Sequence, residues 1–131
     1  MEPVKVCDPH FHIWNIHERP NPNLGAAVEQ NLAAYLASDY LEDMAQLPDP
    51  LKLVSSVHVE TVVGQMEGGH VMDTVGETRW VCDQMGPTDH PIGIVSYVHL
   101  SRDTEESSVV LQLHRKAAEG RLRGVRMILN H

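Results

Sequence analysis

Apolar residues along this chain fall into two alternating rhythms. Short runs rich in Val, Ile and Leu with two-residue alternation are separated by stretches in which apolar residues return every three or four positions, the sign of strands joined by helices. The first run, Val4 to Cys7, leads into Asp8-Pro9-His10-Phe11-His12 and then a loop rich in Asn and Pro over residues 15–25, where helix is disfavoured. Residues 31–46 are good helix formers, and Asp39 with Glu42 three positions later has capping-box spacing. That predicts a helix in two pieces, ended by Pro48-Asp49-Pro50. Residues 53–61 alternate with Val, Ser and Thr and predict a second strand. After a Gly68-Gly69 turn, Val71, Val75, Thr78, Cys82 and Met85 predict a helix stopped at Gly86-Pro87. Residues 92–100 read as a third strand. Asp103 and Glu106 then stand at N-capping distance, followed by a stripe of Val109, Val110, Leu113 and Ala117, with Gly120 as terminator. Residues 122–129 make a fourth strand. The fold class expected is α/β, with four parallel strands and intervening helices; topology alone leaves open a doubly wound sheet or part of a closed barrel.

The polar positions narrow the choice. Side chains two apart in a strand share a face, so Val6, Asp8, His10 and His12 point one way if the first strand stays extended that far. Two imidazoles at a strand's C-terminal end can grip one ion. Ser56, His58 and Glu60 form a second polar set on one face of the second strand, again toward the end where α/β active sites sit. On the fourth strand Arg126 shares a face with Gly124 and Asn130. Each feature also has a plain explanation. Histidines in a His-x-His pair can be satisfied by backbone carbonyls, His58 can be a core histidine, and Glu60 a solvated strand-end carboxylate. Arg126 can cap a helix or pair with Glu60, and Arg121 and Arg123 can be solvated charges around a turn. His17, His70, His90, His99 and His114 have no partner at ligand spacing and are assigned no role.

Composition removes several function classes. A length of 131 residues with 42% hydrophobic content fits one domain, residues 1–131. Ten Lys and Arg against 18 Asp and Glu give a net charge of −8, which argues against a nucleic-acid or anionic-membrane binder. The start, Met1-Glu2-Pro3-Val4-Lys5, lacks the features of a secretory signal, and no apolar run approaches the roughly 20 residues of a membrane span. A cytoplasmic location is expected, with Cys7 and Cys82 as buried, reduced thiols.

Val6-Cys7-Asp8-Pro9-His10-Phe11-His12-Ile13-Trp14 resembles the first strand of the amidohydrolase-related family, in the branch of sugar-lactone and dicarboxylate-lactone hydrolases. Asp39-Tyr40-Leu41-Glu42-Asp43, Ser56-Val57-His58-Val59-Glu60 and Glu77-Thr78-Arg79-Trp80 follow in the family's order. Ile94-Val95-Ser96-Tyr97-Val98 is similar to its third strand, and Leu122-Arg123-Gly124-Val125-Arg126 to its fourth. The resemblance implies the N-terminal half of a (β/α)8 barrel and hydrolysis at a lactone, ester or amide carbonyl of a small-molecule substrate. It implies a divalent metal, zinc foremost, held by His10 and His12 with Asp8 behind them. It further implies that Arg126, Arg123, His58 and Glu60 meet the substrate. Some members of the lactonase branch work without metal, and there His10 and His12 would contact substrate or water instead.

The chain departs from that family in extent. A barrel of this kind takes about 250 residues, and the sequence reads as truncated after the fourth strand. The later ligands and the late aspartate that serves as general base in relatives are missing. A half barrel leaves strand edges and an inner face uncovered, so the sequence predicts a homodimer, a complementing second half-barrel, or an inactive fragment or assembly module. A small doubly wound sheet is a further alternative, although Asp8-Pro9-His10 stands where a phosphate-binding glycine loop would be.

Overall fold

The computed structural model describes residues 1–19, 33–61, 71–88 and 90–129, and of Val71 and Met72 only the backbone. The Gly68-Gly69 turn, His70 and Asn130 lie outside this range. The main sheet contains β1 (Val4–Phe11), β4 (Leu51–Val59), β5 (Ile92–Tyr97) and β6 (Leu122–Arg126). The order is β1-β4-β5-β6 and every pairing is parallel, so each strand lies beside its predecessor in the sheet. A two-stranded antiparallel ribbon, β2 (Trp14–Asn15) with β3 (Ala34–Tyr35), stands apart from it.

Among the described residues three helices join the strands: α1 (Ala37–Ala45), α2 (Val71–Met85) and α3 (Thr104–Ala117). The first differs from its expectation. Residues 34–35 are extended because they pair with Trp14 and Asn15, so helix begins only at Ala37. Asp39 is the third helical residue rather than a cap, and its carboxylate accepts the Leu36 backbone N–H at 2.7 Å. Leu36 has no polar atom to return the bond, so one half of a capping box forms. The α3 start is as its spacing predicts: the Asp103 side chain accepts from the Glu106 N–H at 2.9 Å. Gly86 and Gly120, with φ of +57° and +85°, end α2 and the turn after α3 in conformations that glycine adopts without steric cost.

One core cluster brings Ala37 and Tyr40 of α1, Val81, Cys82 and Met85 of α2, and Ala118 at the end of α3 together with Phe11, Ile13, Ile92 and Ile94. Val109 is not part of the α3 stripe; it is 60% exposed, and the inward positions are Val110, His114 and Ala117. Of the two cysteines, both free, Cys82 is buried and its thiol pKa raised by burial, whereas Cys7 is exposed, contrary to its expected burial. Among the described residues no helix is long and apolar enough to cross a membrane.

Candidate functional site

The two histidines of the first strand converge. Their Nε2 atoms lie 3.1 Å apart with the rings nearly perpendicular, at the C-terminal end of β1. The neighbouring strand fixes the ring of His12, because its Nδ1 is 2.7 Å from the carbonyl oxygen of Val59. A carbonyl only accepts, so that nitrogen carries the proton and Nε2 of His12 presents its lone pair toward His10. Burial lowers the pKa of His12, with His10 and Arg126 acting in the same direction and the Val59 carbonyl and Glu60 opposing them. The ring is therefore held neutral, as a metal ligand or proton acceptor must be.

Asp8 does not reach the histidine rings. The pairing register of β1 with β4 slips between Asp8 and Phe11, so the side-chain alternation expected from Val6 to His12 is interrupted there. One carboxylate oxygen of Asp8 accepts the backbone N–H of His10 at 3.1 Å, and the other accepts the Tyr40 hydroxyl at 3.0 Å. Tyr40, 3% exposed, also stacks its ring on Phe11 at a centroid distance of 3.9 Å. Its hydroxyl lies 2.6 Å from Ser56 Oγ, which in turn is 2.8 Å from His90 Nε2. Sequence spacing offers no signal for Tyr40, which stands 32 positions from Asp8.

The second-strand set divides. Ser56, His58 and Glu60 are all within 3% of full burial. Ser56 belongs to the Tyr40 chain, while Glu60 takes the Arg126 Nε at 2.6 Å on its carboxylate and the Arg126 Nη2 at 2.6 Å on its backbone carbonyl. Arg126, 26% exposed in its side chain, is thereby aimed at the end of β4 near His12. His58 packs edge-on against Phe11 and lies 6.3 Å from the His12 ring, centroid to centroid. Neither of its ring nitrogens has a hydrogen-bond partner of normal geometry. Burial, reinforced by His12, pushes its pKa down to about 3, and the Ile13 backbone offsets this only in part. At 1% exposure His58 is buried beside the His12 ring.

Arg123 does not join the group. Its guanidinium donates to the carbonyls of Gly120 and Leu122 at the start of β6, and its stem covers Gly93. Two other buried polar groups lie outside the site. Glu77 of α2 accepts from the backbone N–H and the hydroxyl of Thr61, and burial raises its pKa to about 7. His114 donates from Nε2 to the Tyr97 carbonyl, which leaves its Nδ1 to accept the Thr78 hydroxyl at 2.9 Å; Ser96 then donates to Thr78 at 2.7 Å. The chain ties α2, β5 and α3 together.

Among the described residues no three His, Cys, Asp or Glu side chains are grouped to hold a metal ion. Among the described residues, cavities of about 530 and 270 Å³ adjoin α1 and the start of β4. Their walls include Leu47, Leu51 and Lys52.

No family model matches the chain, and no solved structure matches it. Among curated proteins it is 26% identical, over 99% of its own length, to the uncharacterized protein y4mH of Sinorhizobium fredii. The chain spans 42% of the length of that relative.

Proposed function

We propose that this chain carries the first-strand site of a hydrolase of the amidohydrolase-related type, acting on a lactone, ester or amide carbonyl of a small, carboxylate-bearing substrate. The observation that carries the reading is the convergence of the His10 and His12 Nε2 atoms, with His12 locked as the Nδ1–H tautomer by Val59. With the His12 lone pair facing His10, the 3.1 Å contact is closed by the Nε2–H of His10, and a divalent ion, zinc first among candidates, would take that proton's place between the two nitrogens. When bound, such an ion polarises a carbonyl and acidifies water.

The chain's own residues have separate tasks. His12 is the lone-pair donor and His10 its partner. Arg126 is held at Nε and Nη2 by Glu60, which leaves its remaining N–H groups to orient a substrate carboxylate by charge-assisted hydrogen bonds. Asp8 acts behind the site through the His10 backbone.

The sheet order supports the first half of a (β/α)8 barrel over a doubly wound sheet. A doubly wound sheet reverses its strand order at a switch point, and β1-β4-β5-β6 does not. Two histidines fall short of the three protein ligands usual in catalytic zinc sites, and no third ligand meets them among the described residues. This favours a site completed by further strands, from a second half-barrel or a second copy, over independent catalysis. The competing reading is a catalytically silent binding or assembly module.

Hydrolysis of γ-lactones and aryl esters, measured with zinc and with chelator, separates the two. Activity lost in His12→Ala and in chelator supports the metal-assisted hydrolase. Zinc binding without turnover, alone or with a complementing half-barrel, supports the silent module.

A further inference from the structure

We infer that Tyr40 is the positioning residue of the histidine pair, a role that rests on the proposed ligand function of His10 and His12. The His-x-His segment sits where β1 loses its register with β4, so strand pairing alone does not set the angle between the two rings. Tyr40 supplies the missing constraint at two points. Its ring lies nearly parallel to that of Phe11, the residue between the histidines, at 3.9 Å and 10°. Its hydroxyl holds Asp8, whose second oxygen holds the His10 backbone N–H. One side chain from α1 thus grips the residue preceding the pair by two positions and the residue inside it.

The proton directions in this grip are determined. Burial, with the neighbouring Asp8 carboxylate also raising it, keeps the Tyr40 phenol protonated, so it donates to Asp8. Having one proton, it must accept from Ser56, and Ser56 must then accept from His90 Nε2. Tyr40 is therefore oriented from behind by Ser56, which is 1% exposed and lies across from Asp8 in the β1–β4 register. A hydroxyl with both its donor and acceptor directions occupied cannot swing away without leaving a buried group unpaired.

The test uses Tyr40→Phe, which keeps the stack and removes the hydroxyl, beside Tyr35→Phe. Tyr35 lies on the same segment, but its hydroxyl bonds Asp43 and touches neither histidine. Cobalt(II) is titrated into the wild-type chain and both variants, and the His10 amide and the His10 and His12 imidazole nitrogens are followed by NMR without metal. Tyr40→Phe is expected to weaken cobalt binding about 10-fold or more and to shift the His10 amide as its acceptor loosens, whereas Tyr35→Phe changes neither. Equal cobalt affinity with an unmoved His10 amide in Tyr40→Phe overturns the inference. If the wild-type chain takes up no cobalt, the ligand reading falls, and the metal-free shifts alone decide the positioning role: a moved His10 amide sustains it and an unmoved one ends it. Should Tyr40→Phe fail to fold, Asp8→Ala cuts the same link and is held to the same outcomes.

Discussion

His12 donates its Nδ1 proton to the carbonyl of Val59 on the adjacent strand, 47 positions away in sequence, at 2.7 Å. This bond leaves His12 Nε2 as the acceptor facing His10, so the sequence motif becomes one directed lone pair with a second imidazole nitrogen beside it. A free imidazole in water samples both tautomers; here one is selected before any ligand arrives. Long-range nitrogen–proton NMR should show His12 protonated at Nδ1 and bare at Nε2 near neutral pH. Its ring should take up a second proton only at a pH below that of an unperturbed histidine, because burial lowers its pKa.

The buried, unpartnered His58 makes the fold acid-sensitive. Its folded pKa of about 3 lies below the unfolded value of 6.5, so the unfolded chain binds the proton first. Its contribution to stability is complete above pH 6.5 and is lost progressively as pH falls toward 3, by at most about 1.4 kcal/mol per pH unit. His114 and His12, both lowered by burial, act in the same direction. In denaturant melts at pH 7 and pH 5, His58→Leu should lose less stability on acidification than the wild type. At pH 7 it should match or exceed it, since an apolar side chain replaces an unsatisfied one.

Glu77 gives the opposite slope. Its folded pKa of about 7 is above the ordinary carboxylate value of 4.5, so protonated Glu77 favours folding. That contribution is present below pH 4.5 and is lost as pH rises through 7. Glu77→Gln keeps an acceptor for Thr61 and cannot ionise. It should be more stable than wild type at pH 8 by up to about 3 kcal/mol, with the gap closing at pH 4.

The Glu60–Arg126 pair should fail asymmetrically. Glu60 is 3% exposed in its side chain and Arg126 26%, so removing the arginine takes the ion-pair partner from a buried carboxylate. Arg126→Ala is expected to cost about 3–5 kcal/mol, and adding Glu60→Gln should recover part of the loss in a double-mutant cycle followed by thermal melts.

Much of the architecture is legible in the sequence, and the exceptions have physical causes. The alternation of Val, Ile and Ser marks β4 and β5 because those strands are lined with small and branched residues. Asp103 and Glu106 mark the start of α3 because an aspartate at that spacing can satisfy a free N–H. The two histidines are visible as partners because two-residue spacing puts them on one face. Asp8 shares their parity but not their direction, since the register slip between Asp8 and Phe11 cannot be read from residue types. His114 was hidden by its polarity, although its position between Val110 and Ala117 puts it in the apolar stripe and would have pointed to a buried, hydrogen-bonded ring. Arg123 and Arg126 look equivalent in Arg-Gly-Val-Arg; only Arg126 bonds a carboxylate, that of Glu60 at the end of β4 two strands away in the sheet, which turns it toward the site. Tyr40 and the Val59 carbonyl act across gaps of 32 and 47 positions, distances that local pattern does not span.

The central claim is that His10 and His12 form one ligand pair, and the most direct measurement is a zinc titration of the nitrogen-labelled chain followed at the imidazole nitrogens. The account predicts that the Nε2 resonances of both histidines move together at a single stoichiometry, and that His10→Ala or His12→Ala abolishes the change in the remaining partner. Zinc binding that leaves both Nε2 resonances in place, or that survives the loss of either histidine, would contradict it.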